Sequence, residues 1–288
     1  MGRIYLGVDG GGTGCRAAFW DTEGRRLGTG LAGPANLTTD FDAGIANVRA
    51  AIAAAARDAG LSDDDARGAV CHAGLAGVQS PQTAARAAAA LPCTRARVDE
   101  DRGIVIAGAL GPQGDGTVLA IGTGSFAGRR QDGAVRSVGG WGLRLGDCAS
   151  GAWLGRAALS ATLEAADGMR DPSPLTDALL ARMGGTPQGL VAFAATAQPA
   201  DLGALAPEVM RAAADGDATA RGIVAEGAAW MERALAALGH AADDPLCLTG
   251  GLGPLYRAAL DRDGRRFVPP LGTPLDGALI LARAYAEG

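Results

Sequence analysis

The chain of 288 residues contains no lysine; all 26 of its basic residues are arginine. A Walker-type phosphate loop, a protein-kinase strand lysine and a Schiff base all need an ε-amine, so each is excluded. Histidine is almost as scarce. With His72 and His240 alone, a zinc site would need an unusual ligand set. The five cysteines (Cys15, Cys71, Cys93, Cys148, Cys247) are scattered without a C-x-x-C and read as reduced thiols of a cytoplasmic protein. No apolar run approaches the roughly 20 residues of a membrane span, so no membrane partner is expected. No leader segment is read ahead of the first strand, which Ile4 enters directly. A net charge of −5 offers no basic excess for nucleic acid.

What is present is ordinary in bulk. Apolar residues make up 48% and charged residues 20%, the balance of a soluble globular chain. The length suits one large domain or two of ordinary size. Ile4–Val8 reads as a strand ending at Asp9, and Cys15–Trp20 with Arg25–Leu31 as a hairpin about "DTEG". Phe41–Ala59 has helical spacing, Ala69–Leu75 is strand-like, a helix runs to about Leu91, and Ala96–Val98 is a short run ending in "DEDRG". The opening order then recurs. Gly116–Ile121 enters "GTGS", and Phe126–Arg130 and Ala134–Val138 form a second hairpin about "QDG". Such recurrence suggests a duplicated fold. Residues 150–238 are mostly helical, Leu246–Leu248 is a strand running into "TGGLG", and Pro274–Ala286 is a closing helix.

The first turn, "DGGGTG" at Asp9–Gly14, invites three phosphate readings. Gly12, Gly14 and Ala17 fit G-x-G-x-x-A, but a dinucleotide site needs a helix next, and a strand follows instead. A P-loop lacks its lysine. The third reading is a clamp of the acetate-kinase, sugar-kinase and actin type. There, glycine N–H groups approach phosphate oxygens closely and a threonine hydroxyl adds a donor. The aspartate then meets the phosphates through Mg²⁺ and its waters, which makes Asp9 tolerable beside them.

At this point the chain resembles the N-acetylglucosamine and glucosamine kinases grouped with the benzoyl-CoA-reductase ATPase subunits. "GVDGGGTGCRA" is similar to the first phosphate motif and "AIGTGS" to the second, while "GPANL" resembles the sugar-contacting segment. "GGWGLRLGD" and "ASGAWLGRAAL" follow in family order, then "LCLTGGLG" for adenosine and "PPLGTPLDGALILA" at the end. The resemblance covers most of the chain. It implies an α/β, two-domain actin-like ATPase fold: duplicated ribonuclease-H-like domains with mixed central sheets and an interdomain cleft. The domains are expected at 1–105 and 106–288, with the final helix free to pack back on the first.

The same resemblance implies an ATP-dependent, Mg²⁺-requiring, homodimeric kinase acting on a small amino sugar. Composition does not choose among Asp99, Glu100 and Asp101; the family pattern picks Asp101 as general base for the sugar 6-hydroxyl. Gly11, Gly12 and Thr13, with Gly122, Thr123, Gly124 and Ser125, would hold the β- and γ-phosphates, and Asp9 would orient the metal. Gly250 and Gly251 would let the backbone pass adenine. Asn36, Asp101, Gly140, Trp141, Gly142 and Asp147 would meet the sugar, although Trp141 equally reads as core filler, the reading preferred. The chain departs from the family at Cys148, where an acidic residue is common, and at Gly14, where a polar residue is. An ATPase activator holding an iron–sulfur cluster between subunits, and a non-catalytic sugar sensor, are the alternatives.

Overall fold

Val70-Cys71-His72-Ala73-Gly74-Leu75 is buried at every position, the pattern of a strand covered on both faces. It lies in one of two sheets in the computed structural model, which describes residues 2–261 and 264–288. Among the described residues, ten strands run in chain order: β1 (Tyr5–Gly10), β2 (Cys15–Trp20), β3 (Arg26–Ala32), β4 (Val70–Leu75), β5 (Arg95–Asp99), β6 (Gly116–Ile121), β7 (Ser125–Gln131), β8 (Ala134–Gly139), β9 (Pro245–Thr249) and β10 (Arg266–Val268). The helices are α1 (Phe41–Asp58), α2 (Asp63–Gly68), α3 (Pro81–Ala90), α4 (Arg102–Leu110), α5 (Gly151–Ala166), α6 (Pro174–Arg182), α7 (Pro187–Thr196), α8 (Pro199–Gly203), α9 (Ala206–Ala214), α10 (Ala218–Ala237), α11 (Arg257–Leu260) and α12 (Pro274–Glu287). A 3₁₀ turn at Gly253–Tyr256 precedes α11.

The chain forms two units, residues up to Asp115 with Pro269–Gly288, and Gly116–Val268. In the first, the strand order is β3-β2-β1-β4-β5; in the second it is β10-β9-β6-β7-β8, the same order written from the other edge. Each unit opens with two antiparallel pairings and continues with two parallel ones, so both sheets are mixed. This is the duplicated α/β architecture that the resemblance implies.

The core of the first unit is built from Leu6, Val8, Phe19, Val48, Ile52 and their neighbours, where α1 covers β2 and β3. Asp40 starts α1 by accepting the Ala43 N–H at 2.9 Å. The other face is closed by α12, whose Ala282 and Ala286 meet Tyr5 and Val70. Helices α4 and α12 cross so closely that a Cβ on Gly277 would stand 1.8 Å from the Ile104 carbonyl oxygen. The second unit has its own core around Leu119, Ile121, Leu154, Met231 and Tyr256. Ser150 caps α5 by accepting the Trp153 N–H at 3.1 Å.

Helices α2, α4 and α11 and strand β10 escape the sequence reading. Strand β10 is only three residues long, too short for alternation to register. The "DEDRG" segment runs directly into α4, and Asp101 sits at its N-cap without making a side-chain cap bond.

Candidate functional site

In the first unit the site residues gather at the carboxyl ends of β1, β4 and β5, the edge where open α/β sheets take ligands. Asp9 is the penultimate residue of β1, its side chain 19% exposed. Burial raises its carboxyl, and the Arg16 guanidinium, 3.6 Å away on the neighbouring strand, pulls it back. Arg16 stands inside the first glycine motif, yet only its register opposite Asp9 marks it as the partner of that carboxylate.

The turn Gly11–Gly14 is held by Gly11 N–H to the Gly14 carbonyl at 2.9 Å, and Ala35 N–H bonds the Gly11 carbonyl at 2.8 Å. The Gly14 departure therefore leaves the turn closed by a backbone bond. Gly12 and Thr13 are exposed, and their N–H groups donate to no other group among the described residues. A Cβ on Gly12 would meet nothing within 4 Å. Nothing in the protein itself requires glycine there, whereas the close approach of an oxyanion would.

Asp101 is partly buried two residues past β5. Burial pushes its carboxyl up to about 6, assisted by the negative charges of Glu100 and Asp9 and opposed by Arg102. Glu100 is itself paired with Arg102, which separates the three acids in role. Asp99 pairs with Arg97 at 2.8 Å and lies 3.6 Å from His72. Asp101 has a raised carboxyl and, unlike the other two, makes no side-chain ion pair among the described residues. Asn36 is partly committed, because its Oδ1 accepts the Thr38 N–H at 3.0 Å. Its side-chain NH₂ donates to no protein group among the described residues, so donors remain for a ligand.

The second unit repeats the turn with one residue fewer. Gly122 N–H bonds the Gly124 carbonyl at 2.9 Å, while the Gly122 and Thr123 carbonyls accept from Gly151 and Ala152 at 2.8 and 3.3 Å. The first turn of α5 thus locks this loop in place. The Thr123 and Gly124 N–H groups donate to no other group among the described residues.

Ser125 does not offer its hydroxyl outward; it donates to the Cys148 carbonyl at 2.7 Å. Asp147, buried at φ 57, accepts the Gly142 N–H at 3.2 Å, and burial raises its carboxyl. Gly140 N–H reaches the Ser125 carbonyl at 2.9 Å. Trp141 is 65% exposed, which overturns its reading as core filler. Left-handed Gly139, Gly140 and Gly142 carry the chain outward around it. Cys148 is half-buried against the core of this unit.

Gly250 has a different reason for being glycine. At φ 81, a Cβ there would stand 2.3 Å from the Ile121 carbonyl oxygen, so the close approach on the page is to β6. A Cβ on Gly251, in contrast, would meet nothing within 4 Å.

The donor set suits a hard cation. Asp9 supplies a carboxylate oxygen beside open turn N–H groups, and no three His, Cys, Asp or Glu side chains gather into a closed cage among the described residues. Mg²⁺ keeps waters and takes one or two carboxylates plus phosphate oxygens, which this arrangement fits.

The profile of the BadF/BadG/BcrA/BcrD ATPase family matches residues 6–260. Glucosamine kinase GspK of Vibrio cholerae is 31% identical over 285 residues, 97% of this chain and 96% of that one. The crystal structure of a candidate N-acetylglucosamine kinase from Chromobacterium violaceum superposes with a TM-score of 0.89 at 35% identity, covering 98% of this chain and 99% of its own. A ROK family glucokinase from Streptomyces griseus, solved with glucose and AMPPNP, shares the fold, with a TM-score of 0.61 at 19% identity over 99% of this chain and 100% of its own.

Proposed function

The chain belongs to the BadF/BadG/BcrA/BcrD ATPase family, and from that premise we propose an ATP-dependent kinase that phosphorylates the 6-hydroxyl of glucosamine or N-acetylglucosamine. The observation that carries this reading is the pairing, in one unit, of an open glycine turn with a partly buried, unpaired Asp101. A bare phosphate binder needs the first feature and not the second. The two similar proteins at 31% and 35% identity carry amino-sugar kinase names, which supports the substrate class.

Phosphoryl transfer depends chiefly on positioning and charge stabilisation, with one carboxylate aligning the nucleophile. Asp101, its carboxyl near 6, is largely ionised at neutral pH and still basic enough to accept the hydroxyl proton as the oxygen attacks the γ-phosphorus. The N–H groups of Gly12, Thr13, Thr123 and Gly124 and the two threonine hydroxyls would receive the phosphate oxygens. Asp9 would hold Mg²⁺ through water, and the ion would neutralise charge on the triphosphate. Arg16 balances Asp9 when no cation is bound. The side-chain NH₂ of Asn36 and the exposed ring of Trp141 would meet the sugar.

A cytoplasmic homodimer is part of the same proposal. All five thiols are free, as a reducing compartment would keep them. No helix among the described residues is long and apolar enough to cross a membrane. The activator alternative gains nothing from the thiols: Cys15, Cys71, Cys93 and Cys247 are buried, leaving only Cys148 partly open. Product analysis tests the proposal. Incubation with Mg-ATP and each sugar should yield a phosphomonoester whose ³¹P–¹H correlation falls on the C6 protons. A product phosphorylated at the anomeric oxygen, or no ester, would overturn it.

A further inference from the structure

Asp101 is the N-cap residue of α4, and its carboxylate accepts the backbone N–H of Arg102, the first residue of that helix. It makes no side-chain ion pair among the described residues. Where α4 goes, the carboxylate goes.

The sheet gives α4 one seat, where the Ile104 side chain lies against Gly74 near the end of β4. Its main neighbour is α12. The two helices lie backbone to backbone: a Cβ on Gly277 of α12 would overlap the Ile104 carbonyl, and a Cβ on Gly108 of α4 would overlap the Thr273 carbonyl. The chain leading into α12 adds a bond, from the Leu271 N–H to the Ala109 carbonyl at 3.0 Å. Nearer Asp101, Leu281 Cδ1 stands 3.8 Å from where a side chain on Gly103 would begin.

Helix α12 is in turn tied at both ends to strands of the same unit. Arg26 of β3 pairs with Asp276 in its first turn at 3.0 Å. Arg95 of β5 donates to the Tyr285 and Ala286 carbonyls in its last turn, at 2.8 and 3.2 Å. Sliding α12 along its axis would break these ties, so it offers α4 a fixed support.

We propose that Gly277, Gly108 and Leu281 are positioning residues: the crossing of α12 over α4 sets where the Asp101 carboxylate stands, and through it the rate of transfer rather than the affinity for either substrate. This rests on the kinase reading and deepens it. None of the three is a group assigned to phosphate or sugar. Misplacing a reacting group by about 1 Å costs on the order of 10²-fold in rate, and an overlap of backbone with a new Cβ demands a shift of that size.

Steady-state rates of amino-sugar-dependent ADP release, measured well below each protein's melting temperature, test this. Gly277→Ala should lower kcat by about 10–10²-fold, with KM for ATP and for sugar within about threefold of the parent. Leu281→Ala opens space instead of forcing an overlap. It should lower kcat in the same way by about threefold or more, and it supplies the reading where Gly277→Ala does not fold. Gly28→Ala is the control, because a Cβ there would overlap the Ala59 amide nitrogen at the end of α1. It should lower the melting temperature while kcat stays within about twofold of the parent. In an Asp101→Asn background, Gly277→Ala or Leu281→Ala should change kcat by less than about twofold, because the carboxylate it displaces is gone. Unchanged kcat in both α12 variants, an equal loss in Gly28→Ala, a rise in KM alone, or a full loss on top of Asp101→Asn would each overturn the positioning role and leave the kinase reading standing. A parent protein that releases no ADP with any amino sugar overturns both.

Discussion

The two sheets have the same strand order, and their first turns sit at corresponding places, yet they are built for different work. Aligning β1 with β6 puts Asp9 opposite Ala120, and aligning β4 with β9 puts His72 opposite Cys247. The first turn has four residues between paired strands and is tied to a loop through Ala35; the second has three and is tied to the start of α5. Charge is concentrated in the first unit, where Asp9, Arg16, Asp99, Glu100, Asp101 and Arg102 stand near the strand ends. The second unit's turn is uncharged apart from buried Asp147, and it is closely bonded. On the proposed reading, duplication supplied two phosphate cradles, the first reactive and the second rigid.

Breaking that division at its reactive end should have the largest effect. Asp101→Asn keeps the size and removes the base, so kcat should fall about 10²–10⁴-fold while sugar affinity stays within about threefold. Steady-state rates with calorimetric binding decide it, and equal losses in both would make Asp101 structural.

Acid response should separate the units next. Burial lowers His72 to about 4, outweighing the attraction of Asp99, so between about pH 6.5 and 4 the unfolded chain takes a proton that the fold refuses. Stability from this group is present above that window and is lost as pH falls through it, by roughly 3 kcal/mol at most. Asp101 acts oppositely. Raised to about 6, it takes a proton in the fold before it would in the unfolded chain, which favours the fold as pH falls from about 6 to 4. His72→Cys, which copies the second unit, should therefore gain stability at pH 4.5 relative to pH 7, and Asp101→Asn should lose it. Denaturant titrations at the two pH values measure both; identical pH dependence in all three proteins would contradict this assignment.

The glycines give a sharper contrast within one turn. Gly250→Ala forces a Cβ against the Ile121 carbonyl at positive φ and should cost about 2 kcal/mol or more. Gly251→Ala, where a Cβ meets nothing, should leave the melting temperature almost unchanged. Comparable destabilisation by both would mean that the close contact with β6 is not what demands glycine. The smallest expected effect is on the cation: Asp9→Asn should shift the Mg²⁺ dependence of the rate upward by about 10–100-fold with little change in stability. An unchanged Mg²⁺ requirement would remove Asp9 from the metal's surroundings.

Much of this was legible in the sequence because it depends on local pattern. Cys15–Trp20 and Gly116–Ile121 coincide with β2 and β6, since alternation, flanking glycines and β-branched residues act over a few positions. The glycine turns were legible for the same reason. What escaped depends on distant partners or on backbone conformation that residue spacing does not show. The exposure of Trp141 follows from three left-handed glycines around it, and the commitment of Ser125 to Cys148 joins residues 23 positions apart. Gly250 looked like a ligand glycine, and only the neighbouring end of β6 explains it. Burial of His72 under neighbouring strands and α12 likewise has no local signature.

The most direct measurement is ADP release from Mg-ATP against glucosamine, N-acetylglucosamine, glucose and no sugar, in the parent protein and in Asp101→Asn. Release that depends on an amino sugar and collapses in the variant is the expected result. Sugar-independent hydrolysis, or release that survives loss of Asp101, would contradict an amino-sugar kinase whose base lies in the first unit.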